Sequence, residues 1–151
     1  MSREESRHSG RVERKRTVKA IEALGLKLGL SELKGCGPSI PWAEEIRETM
    51  IDRVLERESY FQELADAKRD EYANNPDMAL IVSIYRIHAD TISYEARRAL
   101  IGLSHVDEAT WFVSHLFLMY GPDYENTVDI QYLVLCLEEF GYLDRGIVFR
   151  R

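Results

Sequence analysis

The sequence predicts an all-α fold of about five helices, and three observations point to it. Apolar residues recur every three or four positions over long stretches, the spacing of one helix face. Glycine, proline and asparagine fall in tight clusters between those stretches, where helices must stop. A strand signal is confined to the last six residues. The expected arrangement is an irregular orthogonal or bundle-like array.

The elements follow in order. Residues 1–10 (MSREESRHSG) are polar and aperiodic and form an expected flexible basic arm. Residues 11–151 are expected to form a single helical domain. A first helix is expected from about Arg11 to Leu24, with Val18, Ile21 and Leu24 on one face. Gly35-Cys36-Gly37-Pro38-Ser39-Ile40-Pro41 then breaks the chain, and Pro41 suits the first turn of the next helix. That second helix, 41–73, carries Trp42, Ile46, Met50, Val54, Phe61 and Tyr72 on one stripe. Its other face is charged, and Asn74-Asn75-Pro76 stops it.

A third helix, 77–103, is far more apolar. Ser83, Arg86, Asp90, Ser93 and Arg97 share one narrow face, and nearly everything else is aliphatic, alanine or tyrosine. Such a helix is expected at the centre of the fold, surrounded on most sides. Gly102 and Ser104-His105 mark its expected end. A fourth helix (about 106–120) capped by Ser104 or Asp107 and a fifth (about 127–140) capped by Asn126 or Thr127 complete the set. Gly141 is the expected left-handed C-cap of the fifth. The tail 146–151 reads as a short strand.

Composition bounds the function. The 151 residues are 45% hydrophobic and 30% charged, ordinary globular usage. The net charge is −6 and uneven. Residues 1–16 hold six cationic and three anionic side chains, so about +3 sits on the arm and about −9 on the rest. Two separated cysteines, Cys36 and Cys136, exclude a disulfide framework or a cysteine zinc site. No apolar run reaches the roughly 20 residues of a membrane span, and the charged start is unlike a secretory signal. The expected location is cytoplasmic, with no membrane partner.

Several constellations are candidates for chemistry. His88 and Glu95, and likewise Glu108 and His115, stand seven residues apart on apolar helix faces. They could hold a metal or move a proton in a bundle. The favoured reading is buried polar pairs that fix helix register, because no Glu-x-x-His motif accompanies them. Glu44, Glu45 and Glu48 followed by Glu63 and Asp66 spell the acid pattern of magnesium-dependent all-α nucleotide pyrophosphohydrolases. Residues 49–62 contain no helix breaker, so all five acids are expected along one helix, unable to face each other. Asp123, Glu125 and Asp129 fit part of a calcium loop, but glycine and tyrosine stand at its first and twelfth positions. Cys36 lacks a histidine partner. No cofactor is expected.

Arg11, Arg14, Lys15 and Lys19 could contact phosphate backbones or an acidic partner. The candidate recognition helix Val128–Phe140 carries no basic residue and reads as core. Trp42, Tyr60, Phe61, Tyr94 and Tyr124 are candidate interface aromatics. The leading expectation is a non-enzymatic protein-interaction or regulatory module, as a subunit of a larger assembly or alone, with another protein or itself as partner. The alternatives are a nucleic-acid-associated regulator using the basic arm, and a metal-dependent helical-bundle enzyme.

Overall fold

The computed structural model describes residues 22, 26, 29–119 and 128–144. Four α-helices appear among them: α1 (Ser39–Glu71), α2 (Ala79–His105), α3 (Ala109–Ser114) and α4 (Ile130–Glu139). Short 3₁₀ turns occupy Pro76–Met78 and Leu116–Met119. The described residues are all-α, with no strand beyond one isolated parallel bridge between Lys34 and Glu108. Of the helix expected over 11–24 only Glu22 is described, and it is helical and exposed; the strand expected over 146–151 lies outside the described residues. No described helix is long and apolar enough to cross a membrane.

Helix α1 begins two residues before Pro41, directly after the glycine–proline loop. Ser39 Oγ donates back to Cys36 O at 2.7 Å and fixes the turn into the helix. The helix ends at Glu71, where Lys68 and Arg69 face the negative end of the helix dipole. Asn75 then caps the 3₁₀ turn by accepting from Asp77 N at 3.2 Å. Pro76, which has no N–H to lose, opens that turn. The chain reverses and α2 runs back antiparallel along α1.

Helix α2 continues through Gly102 and ends at His105, two residues beyond 103 and within the Ser104-His105 pair expected to mark its end. The glycine has a packing reason. A Cβ there would stand 2.7 Å from Leu137 Cδ1, so α2 and α4 approach more closely than alanine permits. Ser104 is not a cap. Its hydroxyl donates to Ile101 O at 2.6 Å, within its own helix. The expected fourth helix is reduced to the short α3 and the following 3₁₀ turn. Asp129, not Asn126 or Thr127, caps α4 by accepting from Tyr132 N at 3.1 Å. Gly141 takes a left-handed φ of 78°, as its C-cap role demands.

The core occupies one end of this hairpin. Ala43, Ile46, Met50, Ile51 and Val54 of α1 meet Ile92, Ala96, Ala99, Leu100 and Leu103 of α2. Phe112 of α3 and Leu133 and Leu137 of α4 complete the cluster. Residues 31–34 are stapled beside the α2–α3 corner. Ser31 N donates to Ser104 O at 2.9 Å, Lys34 N to Asp107 O at 2.7 Å and Ala109 N to Lys34 O at 2.9 Å. Arg47, buried in α1, donates to Ser31 O at 2.7 Å and ties the same segment to the hairpin.

The other end of the hairpin corrects the expectation that α2 is central throughout. Over residues 56–91 only Ala65 and Ala89 are buried. Helices α3 and α4 are too short to reach this region, and α1 covers only one side of α2. The apolar pattern told which residues avoid water, not whether the fold supplies enough surface to cover them.

Candidate interaction surface

In the outer part of the hairpin, a ladder of polar side chains bridges the two helices while several large apolar side chains of α2 face out. The inner seam is a ladder between the helices. Arg86 Nη1 donates to Gln62 Oε1 at 2.8 Å, and its Nη2 pairs with Asp66. Gln62 Nε2 donates to Ser93 Oγ at 2.8 Å, and Ser93 Oγ donates to Glu58 at 2.7 Å. Each group in the ladder has a partner, so half-burying it carries no uncompensated desolvation. Ala65 and Ala89 let the two helices come close between these polar rungs.

The outer face of α2 is apolar. Leu80 is 72% exposed, Ile84 55% and Ile87 65%, and Ile81 and Tyr94 are also exposed. Leu80, Ile84, Ile87, Thr91 and Tyr94 advance by alternating steps of four and three residues. That 3.5-residue repeat is the seam of a coiled coil, with Ile84 and Thr91 at a positions and Leu80, Ile87 and Tyr94 at d positions. Single exposed apolar side chains are ordinary, but a contiguous row of them marks an interaction site. Beside the row lies a cleft of about 490 Å³ lined by Glu58, Gln62, Asp90, Ser93, Tyr94 and Arg97.

The four residues expected as buried pairs do not pair. His88 is exposed on the outer hairpin, its ring edge-on to Phe61 at 4.7 Å. Glu95 is half-buried and lies 3.8 Å from Arg98, which also holds Glu138 at 2.6 Å. Glu108 is exposed and precedes α3, joined through its backbone to Lys34. His115 follows the end of α3, stacks on Trp111 at 4.4 Å and places Nδ1 2.7 Å from Trp111 O. Because α3 spans only Ala109–Ser114, Glu108 and His115 are not on one helix and their expected alignment is lost. Among the described residues, no group of three or more His, Cys, Asp or Glu side chains could hold a metal ion.

The acids of the magnesium-type pattern, Glu44 to Asp66, all lie along α1, as their spacing implied. The basic residues Arg11, Arg14, Lys15 and Lys19 lie outside the described residues, as do Asp123, Glu125 and Tyr124. Of the candidate interface aromatics, Trp42, Tyr60 and Tyr94 are exposed and Phe61 is half-buried. Leu80, Ile84 and Ile87 were not singled out from sequence. The four–three spacing is present in the sequence, but spacing alone does not separate a covered face from an exposed one.

A second apolar group, Phe117, Tyr132, Leu135 and Phe140, is exposed at the other end of the molecule. Its neighbours 120–127 lie outside the described residues. Burial raises the Cys136 thiol above its ordinary value of 9.0, with Glu139 adding to the effect and a hydrogen bond from Tyr132 opposing it. Burial likewise raises Tyr142 above 10.0, helped by Glu108 and Asp107. Both groups therefore keep their protons at neutral pH and offer no activated nucleophile. No family model, characterised protein or solved structure matches this chain.

Proposed function

We propose that the chain is a non-enzymatic protein-interaction module, a subunit of a larger assembly, whose docking element is the outer α1–α2 hairpin. The exposed Leu80–Ile84–Ile87–Tyr94 row supports this reading. Fully burying one such aliphatic side chain is worth about 1.5–3 kcal/mol, so a partner covering the row gains several times that before association costs. The inward polar ladder keeps the hairpin in register without borrowing the row for its own packing. The surface is thus left for a partner.

The test replaces Ile84 and Ile87 together by aspartate. The expected outcome is loss of the chain's associations with the helix content and the melting temperature of the dilute monomer unchanged. Retention of every association by this variant refutes the reading.

A further inference from the structure

We infer that the partner of the α2 row is a second copy of this chain, docked antiparallel; this rests on the hairpin being the docking element. Three observations carry the inference. The first is self-complementarity. In an antiparallel register centred between Tyr85 and Arg86, Ile84 of one copy packs opposite Ile87 of the other. Leu80 packs opposite Thr91, and the symmetry repeats each contact.

The second is charge. In that register the flanking Asp90 stands opposite Ser83 of the second copy, and His88 stands opposite Ile81, so no like charges meet. A parallel pairing instead sets Asp90 beside Glu95 of the second copy. The antiparallel pairing also brings together two exposed opposite charges. Asp77, at the hairpin tip, arrives at the level of Tyr94 on the other copy, within reach of Arg97. Arg97 and Tyr94 line the cleft with Gln62 and Ser93, and the acids Glu58 and Asp90 are also in its lining.

The third is length. The core begins at Ile92 on α2. In the antiparallel register the second copy's Ala79 comes level with Ile92, and its tip residue Asp77 comes level with Tyr94, which is still exposed on α2. The two cores sit toward opposite ends of the pair. In a parallel pairing they would lie side by side against each other.

The experiment uses the full chain with Cys36→Ser, since Cys36 is the exposed thiol. Sedimentation should give a species of twice the 17.5 kDa chain mass that dissociates on dilution. Ile84→Asp with Ile87→Asp should give the monomer. A short thiol-to-thiol linker should join Leu80→Cys chains to Thr91→Cys chains in a mixture, and should not join Leu80→Cys chains to each other. Arg97→Glu should weaken the dimer about fivefold or more, and adding Asp77→Arg should restore it. Cross-linking of Leu80→Cys chains alone overturns the antiparallel pairing. A monomer at all concentrations overturns self-docking. If such a monomer binds another protein through the same row, the interaction-module reading stands. If the aspartate variant alters no association at all, both readings fall.

Discussion

The two ends of the α1–α2 hairpin are built from the same helices on opposite principles. At the base, Val54, Met50, Leu100 and Leu103 are fully buried, and α3, α4 and residues 31–34 surround them. At the tip, a polar ladder on alanine spacers bridges the helices, and Leu80, Ile81, Ile84 and Ile87 look outward. The base holds the fold together through apolar burial. The tip holds only its own register. A helix that reads as uniformly apolar can therefore be core at one end and docking surface at the other.

Removing a side chain from each end should separate these roles. Phe112→Ala at the base, where the ring is fully buried, should lower stability by about 3–5 kcal/mol in denaturant unfolding. Gly102→Ala should cost about 1–3 kcal/mol, because its Cβ meets the Leu137 side chain. Pairing it with Leu137→Ala should show favourable coupling in a double-mutant cycle, since the clash is gone. At the tip, Arg86→Ala should cost no more than about 1 kcal/mol, as its ion pair with Asp66 is partly exposed. Leu80→Ser should change monomer stability by less than about 0.5 kcal/mol. A large loss from Leu80→Ser at dilution would mean that the row is folded against something within the chain. Amide exchange should repeat the contrast, fast near residues 60–90 and slow near 46–54 and 96–103.

The base also sets an alkaline limit. Cys136 and Tyr142 titrate above their ordinary values in the fold, so the unfolded chain loses these protons first. Their stabilising contribution is complete below about pH 9 and declines as pH rises through the raised values. The melting temperature should fall over that window, and Cys136→Ala should delay the onset of the fall.

The all-α class was readable because helical spacing and breaker clusters are local properties. The long α1, the Asn74-Asn75-Pro76 reversal and the Gly141 cap were each written in neighbouring residues. What the pattern left open is tertiary. Gly102 read as a helix end because glycine is a poor helix former, yet here a facing leucine requires it. The His/Glu spacing of 108 and 115 assumed a helix long enough to align them, and α3 is a single short piece. Leu80, Ile84 and Ile87 carry the same letters as core residues. Among the described residues, the short reach of α3 and α4 leaves them uncovered, and no local signal encodes that reach.

The staple between residues 31–34 and the α2–α3 corner bears on how the chain folds. The hairpin contacts join residues close in sequence, such as Gln62 and Arg86, and can form early at small loop-closure cost. The Lys34–Asp107 and Lys34–Ala109 hydrogen bonds close the whole hairpin inside one loop, and they have little to grip until the corner exists. The base should therefore be sealed last, by a three-rung latch thrown across the hairpin after it has zipped, and pulse-labelled exchange should protect the Lys34 and Ala109 amides after those of the hairpin.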